Sequence, residues 1–170
     1  MKRTLGMTAA LVVALAIAGY AQKKADFSGT WNVDQTATDA ANASTTTAAP
    51  PAGGGGGGGG MRGGGGGATM TIKQTADSLA IERPGRGGGA PTTTTYKLDG
   101  SEQEVPMGQA TAKVKAKWDG DKIVMEQTRA GQDGTPVTST ITYSIDKDGV
   151  LWLETKGAQG TIKRAYKKTT

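Results

Sequence analysis

The sequence predicts an all-β protein, an antiparallel up-and-down meander of eight or nine strands that closes into a barrel. After residue 26, apolar and polar residues alternate with the period-two pattern of half-buried strands, most clearly from Ala110 to Trp118. Asp119-Gly120 and Asp148-Gly149 separate such runs, and Asp-Gly in this position is typical of a tight hairpin. Helical periodicity is absent from the same stretch. Closure into a barrel would leave no strand edge exposed, which favours it over an open sheet.

The predicted strands follow one another along the chain, most of them joined by short turns. They cover residues 27–33, 69–73, 79–81, 92–98, 110–118, 123–125, 137–145, 151–153 and 162–166. Glycine pairs at residues 131 and 134 and at residues 157 and 160 supply the later turns. The segment 101–104 carries Glu102 and Glu104, and we interpret it as a solvated loop rather than as a pair of catalytic carboxylates.

The first 21 residues have the three parts of a cleavable secretory signal peptide. A Lys2-Arg3 pair is followed by an uncharged apolar run at residues 5–18, and small residues end the segment at Ala21. A membrane anchor is the alternative, but this run is shorter than the roughly 20 residues needed to cross a bilayer. We therefore expect a mature chain of residues 22–170, periplasmic or secreted, with no further transmembrane segment.

Residues 35–67 interrupt the strand pattern after the first strand and are rich in Ala, Thr and Gly. Two glycine runs, at residues 53–60 and 63–67, end the segment. Such a composition buries too little apolar surface to offset the entropy lost on ordering the chain, so we predict a disordered insert. Because a long loop costs little additional stability, residues 22–170 can still form a single β-barrel domain.

The amino-acid composition excludes most common forms of catalysis and metal binding. The chain has no His and no Cys, which removes the usual general base, the Ser-His-Asp triad, thiolate nucleophiles and zinc–thiolate sites. Asp146 to Gly149 begins like a calcium loop, but the position of the bidentate Glu falls on Gly157, so we interpret it as a hairpin turn. The net charge of +5 is modest and not clustered as nucleic-acid binding requires. We predict no catalytic residue, no metal, no cofactor and no nucleic-acid partner.

The segment Phe27-Ser28-Gly29-Thr30-Trp31 carries a Gly-x-Trp motif on the first predicted strand. It resembles the first strand of the lipocalins and of their calycin relatives, the fatty-acid-binding proteins and avidins. It also resembles the start of many small exported bacterial lipocalin-like proteins of unknown function. The resemblance implies a lipocalin-like barrel in which Trp31 packs across one end and a basic side chain of the last strand, here Arg164, stacks on its ring. Such a cation–π contact is worth about 1–2 kcal/mol.

The resemblance implies a non-catalytic function, the binding of a small hydrophobic or amphipathic molecule inside a monomeric barrel. A barrel of this size is either filled by side chains or holds one small ligand. Three alanines on one strand would leave room if they point inward, namely Ala110, Ala112 and Ala116. We assign Trp118, Met125 and Tyr143 as candidate ligand contacts, although these large residues could fill the interior instead. The alternative is a structural or protein-interaction module of the cell envelope with a filled core.

Overall fold

The structure, a computed structural model, describes residues 24–43, 68–85, 89–107, 110–131 and 133–169. The predicted signal peptide lies outside the described residues, as do residues 44–67 of the predicted insert. Within the described ranges the chain forms ten strands and one helix. In chain order these are β1 (Gly29–Asp34), α1 (Gln35–Asn42), β2 (Thr69–Gln74), β3 (Ser78–Arg83), β4 (Thr92–Lys97), β5 (Asp99–Met107), β6 (Ala110–Asp119), β7 (Lys122–Ala130), β8 (Pro136–Ile145), β9 (Leu151–Gly157) and β10 (Gly160–Lys168).

All ten strands belong to one sheet in the order β4-β3-β2-β1-β10-β9-β8-β7-β6-β5, and neighbouring strands are antiparallel. The pairing of β1 with β10 makes the first and last strands neighbours. The two edge strands, β4 and β5, also approach each other. Between them the Lys97 N–H donates a hydrogen bond to Gln103 Oε1 at 3.2 Å. The sheet is therefore a nearly closed up-and-down barrel, which confirms the predicted meander.

The barrel has ten strands rather than eight or nine because β5, which we predicted to be a loop carrying Glu102 and Glu104, is a strand. Both glutamates point outward, and Glu102 forms ion pairs with Lys113 at 3.1 Å and Lys115 at 3.5 Å on β6. Polar residues dominate this strand and obscure its alternation. Pro106 is tolerated within it because β5 is an edge strand with one unpaired side.

A short helix follows β1, although we predicted no helix after the signal peptide and disorder throughout residues 35–67. Asp34 is its N-cap, because its Oδ1 accepts a hydrogen bond from the Ala37 N–H at 3.1 Å and so satisfies a free donor of the first turn. The ion pair of Asp34 with Lys167, at 2.7 Å, and this capping bond hold the pKa of Asp34 below its ordinary value. Helix α1 therefore begins where β1 ends, on a side chain bonded to β10.

The helix α1 lies along the edge of β10 that extends beyond β1. Thr38 Oγ1 accepts a hydrogen bond from the Ala165 N–H at 3.0 Å. One turn later the Asn42 side chain accepts from the Lys163 N–H at 3.0 Å and donates to the Lys163 carbonyl at 2.8 Å. Residues four apart share one face of a helix, and residues two apart point to the same side of a strand. The helix thus satisfies backbone groups of β10 that β1 is too short to reach.

The segment before β1 closes one end of the barrel. Phe27 is fully buried, and its ring centroid lies 6.0 Å from that of Trp118 and 6.4 Å from that of Tyr143. The Gln74 side chain fixes the segment, because it accepts from the Phe27 N–H at 2.8 Å and donates to the Ala25 carbonyl at 3.0 Å. We call this end of the barrel the closed end.

Inward-facing side chains become more exposed toward the opposite end of the barrel. On β5, Val105 is buried, whereas Met107 is 36% exposed. On β10, Tyr166 is buried, whereas Ile162 is 45% exposed. These two strands lie five positions apart in the ten-stranded order and hence across the barrel from each other. We call this end the open end, because apolar side chains that point inward there still contact solvent.

Candidate binding site in the barrel

Charged residues divide between the two faces of the barrel wall. The alternation and register of the ten described strands place all their acidic residues on the outer face, where Glu102 and Glu154 pair with lysines. Four basic residues occupy inward-facing positions of the same strands: Arg83, Arg129, Arg164 and Lys168. The acidic side chains of these strands thus lie outside and four cations lie inside, with Asp26 ahead of β1 near one of them, Lys168; an inner face with this surplus of positive charge favours an anionic guest.

Arg83 is the basic residue whose surroundings are best defined. Its Nε is buried and has no hydrogen-bond partner, and its guanidinium faces the side chains of Tyr96 and Tyr143. Burial raises the pKa of both phenols, while the charge of Arg83 offsets part of that rise. Both hydroxyls therefore stay protonated at neutral pH, where they can donate hydrogen bonds. Among the described residues, no carboxylate forms an ion pair with Arg83.

Four buried polar side-chain atoms in the described part of the chain lack a hydrogen-bond partner, and all four belong to inward-facing side chains. They are Arg83 Nε, Gln103 Nε2, Trp118 Nε1 and Tyr166 Oη. A buried polar group without a partner costs about 1–3 kcal/mol, so a ligand or an ordered water that bonded one of these atoms would lower the free energy of the folded protein. Three of the four are N–H donors, which suits an oxygen-rich partner such as a carboxylate.

The three residues predicted to contact a ligand all face inward and lie toward the closed end. Met125 and Tyr143 are each 2% exposed, and the rings of Tyr143 and Trp118 both contact Phe27. Lys24 Nζ lies 5.0 Å from the Trp118 ring centroid on the side of the N-terminal segment. These side chains fill the closed half of the interior, and their role as ligand contacts stays a prediction.

Trp31 is buried, and the cation on its ring is Lys168 rather than the predicted Arg164. Lys168 lies opposite Trp31 in the strand register, and its Nζ is 5.5 Å from the ring centroid. Arg164 lies four residues away along β10, opposite Leu153 of β9, and is half-buried on the inner face. The antiparallel register of β1 and β10 decides which basic residue reaches the indole.

The alternating alanines of β6 point inward, which is the condition under which they would leave room in the interior. Ala112 and Ala116 are buried, whereas Ala110 is exposed at the open end. Strand β6 lies between β5 and β7, and across it the side chains of Gln127 on β7 and Met107 on β5 are in contact, with Nε2 3.1 Å from Sδ. Side chains of strands that are not neighbours can meet there because the short alanines between them leave space.

Sequence reasoning missed Arg83, Gln103 and Tyr166 as candidate site residues. Arg83 lies two residues beyond the predicted strand 79–81, although the alternation of Leu79 and Ile81 continues to it and places it on the inner face. Gln103 lies on β5, and because that segment was interpreted as a loop, its inward direction was not predicted. No sequence signal shows that the Tyr166 hydroxyl lacks a partner, because that depends on side chains of other strands.

Two further kinds of feature are absent from the part of the chain that the structure describes. No group of three or more His, Cys, Asp or Glu side chains is arranged to hold a metal ion there. Within the same residues, no helix has both the length and the apolar composition needed to cross a membrane.

No family model and no curated protein matches the chain, but solved structures do. A secretory abundant heat soluble protein from Ramazzottius varieornatus matches with a TM-score of 0.54 and 17% identity, covering 84% of this chain and 95% of that one. The REP1-NXSQ fatty acid transporter matches with a TM-score of 0.53 and 20% identity, covering 85% and 97%. A point mutant of the fluorescent protein UnaG matches with a TM-score of 0.53 and 23% identity, covering 85% and 96%. At these identities the likeness establishes the fold alone, which is a lipocalin-like, nearly closed up-and-down β-barrel.

Proposed function

We propose that the barrel binds one small amphipathic molecule that carries an acidic group, and that it does so without catalysis. The observation that carries this proposal is Arg83, an inward-facing cation with a buried, unpartnered Nε and no carboxylate partner among the described residues. Removing an unpaired charge from water is costly, and an acidic ligand group would supply the missing partner. The protonated hydroxyls of Tyr96 and Tyr143 would donate to the same group.

The apolar part of the ligand would extend from this polar cluster toward the open end. Ile141, Met107 and Ile162 face inward along that direction and are progressively less covered by protein. The closed half is already occupied by Phe27 and its aromatic neighbours, so it has little room for a guest. One of the solved structures of the same fold is described as a fatty acid transporter, and a long-chain carboxylate is therefore a suitable first probe.

The first experiment is a titration with a fluorescent fatty acid and with its uncharged methyl ester. We expect the wild-type protein to bind the acid at least about tenfold more tightly, since a charge-assisted hydrogen bond contributes ~1.5–3 kcal/mol. The variant Arg83→Met keeps much of the side-chain volume and should lose this preference. Arg129→Met is the matched control, because Arg129 also faces inward but is exposed at the open end. Equal preference in wild type and Arg83→Met would overturn the assignment of Arg83.

Native mass spectrometry of protein purified from its own host tests the proposal without a chosen probe. We expect an acidic adduct on a chain that begins at Gln22, since the predicted signal peptide would place this role in the periplasm or outside the cell. A bare mass together with no uptake of either fluorescent probe would instead support the second candidate, a structural or protein-interaction module. The packing of Phe27 against Trp118 and Tyr143, which fills the closed half of the core, is the observation that favours this alternative.

A further inference from the structure

A groove of about 670 Å³ lies on the outside of the barrel, on the opposite face of the wall from Arg83, Tyr96 and Tyr143. It runs across the outer faces of β7, β8 and β9, with helix α1 on one side and the β6–β7 hairpin on the other. The residues that line it include Val124, Thr142, Ser144 and Trp152. We call this feature the outer groove.

The outer groove exists because short and long side chains alternate across the strands. Thr142 and Ser144 of β8 are short, and they lie between longer side chains on the neighbouring strands. Thr142 is opposite Glu154, and Ser144 is opposite Trp152. The floor therefore presents two hydroxyl-bearing side chains, and an aromatic ring stands beside them.

Trp152 is held in a fixed orientation by the turn that precedes β9. Its Nε1–H donates a hydrogen bond to Asp146 Oδ2 at 2.9 Å. The other carboxylate oxygen of Asp146 accepts from the backbone N–H groups of Asp148 and Val150, each at 2.9 Å. The indole N–H of Trp152 thus already has a hydrogen-bond acceptor, and Trp152 contributes its apolar ring to the groove.

The charges that line the outer groove balance one another. Asp119 and Lys122 lie opposite each other in the register of the β6–β7 hairpin, and Glu154 forms an ion pair with Lys163 at 3.0 Å. Two acids and two bases leave no net charge to attract an ion. They do provide both donors and acceptors along the rim of the groove.

We propose that the outer groove is a second binding site, one that takes a sugar ring of a neutral saccharide. An apolar ring beside paired hydroxyl and charged groups is complementary to a pyranose, which has apolar C–H faces and an equatorial belt of hydroxyls. The sugar ring stacks on Trp152, and its hydroxyls bond to Thr142, Ser144 and the Glu154–Lys163 pair. This site is separate from the barrel interior and does not depend on the function proposed for it.

The experiment follows the indole N–H resonance of Trp152 by NMR while maltotriose or chitotriose is added. The variant Trp152→Phe assigns the resonance and keeps an aromatic ring in the groove. We expect one of the two neutral trisaccharides to shift the signal with a weak Kd of about 0.1–1 mM. Trp152→Ala should weaken binding at least tenfold, as measured by titration calorimetry.

Two controls make the outcome decisive. Thr138→Ala changes an outward-facing residue of β8 outside the groove and should leave the saccharide affinity unchanged. Excess fatty acid should leave the Trp152 shift unchanged, which separates this site from the barrel interior. If neither trisaccharide moves the wild-type Trp152 resonance at 10 mM, or if glucuronate alone moves it, the assignment of a neutral saccharide is wrong.

Discussion

At the scale of single residues, the Gly-x-Trp motif is explained by one contact between the first and last strands. Gly29 has a φ of +134°, a conformation that L side chains rarely adopt. A Cβ at Gly29 would also collide with Cε of Lys168. Without that Cβ, the Lys168 side chain can pass over Gly29 and place its Nζ 5.5 Å from the centre of the Trp31 ring. The motif therefore provides an aromatic ring and a path for the cation that covers it.

Trp31→Ala should lower the free energy of unfolding by about 3–5 kcal/mol, because it removes a large buried ring. The indole is 2% exposed, and its Nε1–H bonds the Phe27 carbonyl at 2.9 Å, so the substitution also releases the closed-end segment. Urea denaturation followed by circular dichroism measures the loss. Trp31→Phe is the comparison and should lose less, because it keeps an aromatic ring. A neutral Trp31→Ala would show that the closed end does not depend on this residue.

The sequence indicated which residue types meet at this end but not which individual residues. Gly29 and Trp31 were recognised from three adjacent positions, whereas the choice between Arg164 and Lys168 depends on the register of two strands more than 130 residues apart. Both residues alternate correctly with Tyr166, so periodicity alone could not separate them. Arg83 shows the same limit, because the finding that no described carboxylate forms an ion pair with it depends on how all ten strands are arranged.

At the scale of elements, helix α1 takes over from β1 as the partner of β10. Two side chains one helical turn apart, Thr38 and Asn42, bond backbone groups of Ala165 and Lys163. Exposed backbone groups along a strand edge invite pairing with other chains. The helix covers part of that edge. Thr38 and Asn42 are four residues apart on the helix, a rise of about 6 Å, which is close to the separation of alternate residues on a strand.

Thr38→Val should destabilise the protein by about 1–3 kcal/mol, because it leaves the Ala165 N–H without an acceptor in a buried position. Valine has nearly the same shape as threonine, so the effect reports the hydrogen bond. Thr36→Val, at an exposed position of the same helix, should change stability by less than about 0.5 kcal/mol. Faster hydrogen exchange at the Ala165 amide in Thr38→Val would show that the loss of stability comes from this hydrogen bond. Equal stability of the two variants would contradict the prediction.

The elements that sequence analysis missed share a physical cause. Helix α1 has eight residues, few of them apolar, and is formed through its Asp34 cap and its bonds to β10 rather than by intrinsic propensity. Strand β5 is rich in polar residues because its outer face carries glutamates that pair with lysines of β6. The strands with one clearly apolar face were all predicted, because burial of that face determines both their pattern and their position.

At the scale of the whole molecule, the barrel is divided along its axis into a filled half and an open half. At the closed end the ring of Phe27 contacts the rings of Trp118 and Tyr143. Toward the open end the same inner face carries exposed Met107 and Ile162, and Arg83 lies at the open-end terminus of β3. The two hypotheses left open by the sequence, a filled core and a binding cavity, thus describe different halves of one barrel.

This division predicts that hydrogen exchange will differ between the two halves. Amides near the closed end, such as that of Ile123, should exchange only by global unfolding, because their side chains are fully buried. Amides near the open end, such as those of Val137 and Ile162, should exchange through local opening with a smaller free energy. A saturating fatty acid should slow both groups, since a ligand that binds only the folded protein raises the free energy of global unfolding and of each local opening that disrupts the site. Uniform exchange along the barrel would contradict the division, and open-end amides that the ligand does not slow would contradict the location of the proposed site.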